Sequence, residues 1–199
     1  MTDKLARAKL ARAAAALNAP SSLPALVLMT DDERLADPLA AARALPRGSM
    51  IVVRARQSSH RAKLAAELRD ITRARETKLL IANDANLAGQ IGADGIHLSQ
   101  ANARQASHWR ALHPRWIITA AAHSLAACHI PDADALFVAP VFPTRSHPGG
   151  KFMDAIQLRI IAQHALQPVY ALGGIDAISA MQLTGAKLAG LAAIGALAV

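Results

Sequence analysis

Eight short runs of β-branched and aliphatic residues recur along this chain, each followed by an amphipathic or capped segment, and that alternation leaves few folds open. The runs are Leu26–Met29, Met50–Val53, Leu79–Ala82, Gly95–Leu98, Trp116–Thr119, Ala135–Val138, Val169–Leu172 and Leu191–Ile194. The segments between them carry helix-start residues. Asp37 precedes Pro38, a good cap before a good first position. Ser58 or Ser59 opens a long helix to about Arg75, and Asp84, Asn102, Ser124, Asp154 and Asp176 each stand where another helix begins. Strands separated by helices pair in parallel, because only a crossover returns the chain in the same direction. Eight such units close a (β/α)8 TIM barrel, of α/β class; a doubly wound open sheet gives no reason for eight evenly spaced units. The 199 residues are few for such a barrel, so its loops must be brief, and one barrel domain over 1–199 is expected.

The two ends of the chain are unusual for this architecture. Residues 3–17 are rich in Ala, Leu, Lys and Arg and read as an extra N-terminal helix, broken by Asn18 to Pro24, so that 1–24 is helix and linker. The eighth run ends near Ile194 and the sequence stops at Val199, which leaves a truncated final helix. Strands 1 and 8 are neighbours in a closed barrel, so the N-terminal helix is expected to cover the gap.

Composition narrows the function classes. The net charge is +8, from 22 Lys plus Arg against 14 Asp plus Glu, which favours anionic partners such as phosphate and pyrophosphate esters, or is simply a solvated basic surface. No nucleic-acid partner is expected: zinc spacing and aromatic stacking motifs are missing, and the basic residues are scattered over several helices. A single cysteine, Cys128, excludes an internal disulfide framework and fits a cytoplasmic location. No membrane partner is expected either. No apolar run reaches spanning length, and Lys4, Arg7, Lys9 and Arg12 interrupt any signal-peptide core.

In such barrels ligands meet the loops at the strand C-terminal ends, and phosphate is often held after strands 7 and 8. Gly173-Gly174-Ile175 and Gly195-Ala196 fall there. Glycine lets backbone N–H groups approach an oxyanion closely, or it merely turns the chain. Arg54 and Arg56 follow strand 2, Asn83 and Asp84 strand 3, His97 to Asn102 strand 4, His123 strand 5, and the Pro143–Lys151 loop strand 6. Guanidinium groups suit pyrophosphate, and a carboxylate such as Asp84 suits Mg²⁺. Asp84 and Asn102 are equally readable as helix caps, and His97 and His123 as hydrogen-bonded packing residues. His108, His113, His129 and His164 read as surface.

The stretches LVLMTDD (Leu26–Asp32), VVRAR (Val52–Arg56), LLIANDANLA (Leu79–Ala88), GADGIHLSQAN (Gly92–Asn102), AAHSLAA (Ala121–Ala127), APVFPTRSH (Ala139–His147), PVYALGGI (Pro168–Ile175) and GLAAIGAL (Gly190–Leu197) come in a recognisable order. With them the chain resembles the thiamine phosphate synthase and TenI family from about Leu26 to Ala196. The resemblance implies an enzyme that joins hydroxymethylpyrimidine pyrophosphate to thiazole phosphate and releases pyrophosphate. It implies a catalytic set of Arg54, Arg56, Asn83 and His123, with Mg²⁺ at Asp84 and Asn102. Thiazole phosphate would sit on Gly173, Gly174, Gly195 and Ala196, and pyrophosphate would meet the arginines and Thr144, Arg145, Ser146 and His147. The chain departs from the family pattern at Val52 (usually Gln), Arg56 (Lys), Asn102 (a metal carboxylate), Ala121 (Ser), Thr144–His147 (Thr-x-Thr-Lys) and Gly195 (Ser). These changes fall mostly on the pyrophosphate and metal side. Two further functions fit: a TenI-type thiazole tautomerase, which needs no metal, and a non-catalytic binder of thiazole or thiamine phosphate. For the tautomerase, a histidine used by relatives falls at Pro140, so His97, His123 or His147 would supply the acid–base chemistry. Homo-oligomer formation stays open.

Overall fold

The computed structural model describes residues 2–18, 21–55, 58–144 and 149–199. Its eight strands are β1 (Leu26–Met29), β2 (Met50–Val53), β3 (Lys78–Ala82), β4 (Gly95–Leu98), β5 (Ile117–Ala122), β6 (Ala135–Val138), β7 (Val169–Ala171) and β8 (Gly190–Ala193). They pair in that order, and β8 returns to β1 in parallel through Leu26↔Leu191, Val27↔Ala192 and Leu28↔Ala193. The sheet is therefore the closed parallel barrel expected from the sequence. β5 differs most, running on to Ala122 where the sequence suggests an end at Thr119. Alanine is a poor strand former by itself, but Ala120, Ala121 and Ala122 pair with Leu136, Phe137 and Val138, and the ladder decides.

Strand parity divides the apolar residues into two cores. Val27, Met29, Met50, Val52, Leu80, Ala82, Phe137, Tyr170 and Ala192 fill the lumen. Leu26, Leu28, Ile51, Val53, Leu79, Ile81, Ile96 and Leu98 face the surrounding helices. Strands buried on both faces have no polar side to show, which is why they read as continuous apolar runs. Phe137 and Tyr170 stack at 4.8 Å across the lumen, and the Tyr170 hydroxyl donates to the Pro24 carbonyl at 2.6 Å below it.

The helices are α1 (Thr2–Leu17), α2 (Pro38–Ala44), α3 (Ser58–Arg75), α4 (Ala85–Gln90), α5 (Ala106–Leu112) and α6 (Ala155–His164). Asp37, Asp84 and Asp154 cap α2, α4 and α6, accepting from the amides of Ala40, Leu87 and Gln157 at 2.8, 3.0 and 2.8 Å. Asn102 does not cap a helix. It lies inside a 3₁₀ segment, Gln100–Gln105, that leads into α5, and its amide nitrogen donates to Asn83 instead. After β5, β7 and β8 the crossovers shrink to 3₁₀ turns, Leu125–Ala127, Ser179–Leu183 and Gly195–Leu197. Ser124 still caps its turn through the Ala127 amide, and the Asp176 carboxylate accepts from the Ile178 and Ser179 amides just before the second.

α1 lies over the seam between β8 and β1 and touches both short segments Ser179–Leu183 and Gly195–Leu197. Leu10 and Ala14 are fully buried there, and the Arg7 guanidinium donates to the Ala198 carbonyl at 2.7 Å. The N-terminal helix thus packs on the flank formed by β8, β1 and the short Gly195–Leu197 segment. Among the histidines read as surface, His113 is half-buried, its ring stacked on Trp116 at 3.6 Å; His108, His129 and His164 are exposed. No helix among the described residues is long and apolar enough to cross a membrane.

Candidate functional site

The polar residues at the strand C-terminal ends are tied together across neighbouring loops. Thr30, after β1, is buried, and its hydroxyl both accepts the Arg54 amide at 2.8 Å and donates to the Arg54 carbonyl at 3.2 Å. Asp31 binds the Arg54 guanidinium at 2.5 Å and takes two bonds from the Arg34 side chain, at 3.0 and 2.6 Å. The Arg34 hydrogen bonds, helped by Arg54 and outweighing partial burial, hold the Asp31 carboxyl well below the usual carboxylate range. Arg54 is therefore a fixed cation, half-exposed at the barrel mouth.

Asn83 and Asp84 follow β3. Asn83 adopts φ +53°, a left-handed conformation that Asn tolerates better than most residues, and its side-chain oxygen accepts from the Ser99 amide at 2.8 Å and from Asn102 at 3.1 Å. Asp84 spends one oxygen on the Leu87 cap and receives Arg61 on the other at 3.3 Å. Arg61 comes from the first turns of α3 and also clamps the Ala55 carbonyl through Nε and Nη2, at 3.0 and 2.7 Å. The family resemblance implies Mg²⁺ at Asp84 and Asn102. The donors found are one carboxylate already engaged by a guanidinium and one neutral amide. Among the described residues no group of three or more His, Cys, Asp or Glu side chains is placed to hold a metal ion. This donor set does not fit a resident divalent cation.

The two histidines separate cleanly. His97 points into the lumen, 6% exposed, with Nδ1 3.0 Å from the Thr119 hydroxyl and its ring edge-on to Phe137. Burial, with the nearby Arg54 charge adding to it, pushes its pKa down to about 4. It stays neutral near pH 7 and belongs to the packing of the upper lumen. His123 is exposed at the mouth. Its backbone amide donates to Gln100 at 2.8 Å, and its Nδ1 lies 2.6 Å from the Ala139 carbonyl. A carbonyl can only accept, so Nδ1 carries the hydrogen and Nε2 is left as the basic nitrogen.

The loops after β6 and β7 interlock. Val141 and Phe142 donate their amides to the carbonyls of Leu172 and Gly173 at 3.0 Å each. Gly173 and Gly174 have φ of +92° and +65°, and an added Cβ would lie 2.8 Å from Pro140 Cα and 2.5 Å from the Pro143 carbonyl. Both glycines are thus required by the backbone of the neighbouring loop, independently of any ligand. Ser179 donates to the Gly174 carbonyl at 2.9 Å and fixes the turn. Gly195 differs: an added Cβ there meets nothing within 4 Å. Gly195 and Ala196 border a cleft of about 330 Å³ that Asp176, Ala177, Ala198 and Ala6 of α1 also line.

Arg54, Asn83, Asp84, Asn102, His123, Thr144, Gly173, Gly174, Gly195 and Ala196 therefore all stand on loops at one end of the barrel. Arg56, Arg145, Ser146 and His147 lie outside the described residues. Sequence reasoning missed Asp31, Arg34 and Arg61. Asp31 sits within the quoted LVLMTDD stretch, and a cation in the first turns of a helix is itself unusual, because the dipole there is positive.

The model of the family described as thiamine monophosphate synthase matches residues 26–197. The chain belongs to that family. Among curated relatives, the thiamine-phosphate synthase of Thiobacillus denitrificans is 30% identical over 187 residues, 89% of this chain and 87% of that protein. That of Chloroflexus aurantiacus is 32% identical over 136 residues, 66% of this chain. Against the Chloroflexus protein and the one from Pasteurella multocida, the matched stretch spans only 62% and 63% of the relative's length. Among solved structures, the thiamine phosphate pyrophosphorylase of Pyrococcus furiosus superposes with a TM-score of 0.73 at 24% identity, covering 85% of this chain and 84% of that one. At that identity the likeness speaks for the fold. Family membership accounts for the barrel and its ordered motifs. The Asp84–Arg61 pair and the buried His97 are features of this chain's own geometry.

Proposed function

We propose that this chain is a synthase of the family's type, a transferase that joins hydroxymethylpyrimidine pyrophosphate to thiazole phosphate. The observation that carries the reading is the presence of two anion-suited regions at one barrel mouth. On one side stands Arg54, fixed by Thr30 and Asp31. On the other, glycine loops end β7 and β8. Two phosphorylated substrates need two such regions. In the reaction the bond from the pyrimidine methylene carbon to the pyrophosphate oxygen breaks, and its electron pair leaves with pyrophosphate. The thiazole nitrogen donates its pair to the methylene carbon. Arg54, with Arg56 and the 144–147 loop, would stabilise the charge that grows on the leaving group. Gly173, Gly174, Gly195 and Ala196 would hold the thiazole phosphate, and Asn83 would order the mouth through Ser99 and Asn102. The single buried thiol and the lack of a membrane-crossing helix among the described residues are consistent with work in a reducing cytoplasm.

One observation favours a second reading. His123 leaves Nε2 as the basic nitrogen at the mouth, which suits proton transfer on a thiazole phosphate ring, the tautomerase chemistry. The deciding experiment supplies purified protein with the pyrimidine pyrophosphate and thiazole phosphate and follows thiamine phosphate and pyrophosphate together. Equimolar formation of both is expected. Isomerisation of the thiazole phosphate without either product would establish the tautomerase, and binding without any turnover would leave a phosphate-ester binder.

A further inference from the structure

Asp84, the one carboxylate of the expected metal pair, is paired with Arg61. Both carboxylate oxygens of Asp84 are engaged, one by the Leu87 amide at 3.0 Å and the other by Arg61 at 3.3 Å. Their side chains are only 29% and 19% exposed, so water screens the pair less than an ion pair on the open surface. Arg61 is also locked to the Ala55 carbonyl, one residue beyond Arg54, which places two guanidinium-bearing residues on the same rim. A divalent cation on Asp84 would have to displace Arg61 or share the carboxylate with it, against like-charge repulsion. Asn102 adds no charge to offset that.

Arg61 is moreover the fourth residue of α3, where the helix dipole disfavours a cation. Asp84 offsets this in part, and a diphosphate would offset it further. A guanidinium is well shaped for the task, presenting N–H groups in a planar fork that matches phosphate oxygens.

We infer that the pyrophosphate half of this mouth works without a resident divalent cation, and that Arg61 supplies, beside Arg54, the positive charge a metal would otherwise bring. The inference rests on the diphosphate reading given above. On binding, the guanidinium turns part of its hydrogen bonding from Asp84 to the ligand, while Asp84 keeps its cap on α4. Asp84 then competes with the ligand for Arg61, the opposite of a metal ligand's part.

The test is calorimetric titration of the full chain with inorganic pyrophosphate, in EDTA and in millimolar Mg²⁺, with folding of each variant checked by circular dichroism. Binding in EDTA should be within about threefold of that in Mg²⁺. Arg61→Gln should weaken it at least tenfold in EDTA. Asp84→Asn, which keeps the cap because Asn and Asp are nearly equal there, should tighten it. Binding that needs Mg²⁺ and is lost in Asp84→Asn would overturn the inference, as would an unaffected Arg61→Gln. If Arg61→Gln fails to fold, the EDTA comparison and the direction of the Asp84→Asn change still decide. Absence of pyrophosphate binding under both conditions would remove the diphosphate reading itself, and the inference with it.

Discussion

The Thr30 hydroxyl holds the Arg54 backbone from both sides, accepting its amide at 2.8 Å and donating to its carbonyl at 3.2 Å. A β-branched side chain with few rotamers thus fixes the residue on which the anion reading depends. Thr30→Val keeps the shape and removes both bonds. It should lower stability by about 1–3 kcal/mol, since a buried amide loses its partner. Pyrophosphate binding should weaken more than thiazole phosphate binding. Urea denaturation with paired calorimetric titrations would check this, and equal losses for both ligands would argue that Thr30 serves the fold alone.

Acid should destabilise the protein in two stages. His97 has a folded pKa near 4, below its ordinary 6.5, because burial penalises its charged form. The unfolded chain therefore takes up this proton first, and stability falls as pH drops from about 6.5 towards 4. The loss is on the order of 3 kcal/mol, since each tenfold change in proton affinity is worth about 1.4 kcal/mol. Asp31 is likewise depressed by Arg34 and Arg54, so its contribution is full above its ordinary value of 3.8 and is lost below it. His97→Gln should flatten the first stage and Asp31→Asn the second in equilibrium unfolding measured against pH.

Gly195 and Gly174 should respond in opposite ways to an added side chain. At Gly195 the space is open, so Gly195→Val should leave the melting temperature nearly unchanged while blocking thiazole phosphate. At Gly174 a Cβ collides with the loop after β6 in a left-handed conformation, so Gly174→Ala should destabilise by more than about 1–3 kcal/mol. Thermal melts and thiazole phosphate titrations of both variants would test it. Undiminished phosphate affinity in a folded Gly195→Val would remove this loop from the site.

Asn102→Asp is a metal probe with a structural consequence. The amide of Asn102 donates to the Asn83 side-chain oxygen at 3.1 Å, and a carboxylate there would face that oxygen as a second acceptor. The variant should be less stable than wild type by about 1 kcal/mol in EDTA. A cation shared by the carboxylates at 84 and 102 should restore that stability in Mg²⁺, whereas wild type should show little Mg²⁺ dependence. Differential thermal melts with and without the cation would measure both effects. A variant as stable as wild type in EDTA would show that the Asn83 contact carries no weight.

The approximate strand positions, their parallel order, most helix starts and the face on which the functional loops gather were legible in the sequence. These follow from local physics: continuous apolar runs need burial on both sides, and Asp37, Asp84 and Asp154 bond amides three residues ahead. It also placed a helix before β1 over the seam beside β8, because closure makes those strands neighbours. Which polar residues pair with one another at the mouth was settled by long-range packing. Asp31 reaches Arg54 across 23 positions, and Arg61 reaches Asp84 across the same separation. Such contacts depend on where two loops meet at the mouth, which no local pattern encodes. The same holds for the histidines. Strand parity turns His97 into a packed lumen that suppresses its charge, while His123, one residue past β5, emerges where a ligand can meet it. Asn102 reads as a cap in isolation, yet the left-handed Asn83 from the neighbouring loop captures its side chain.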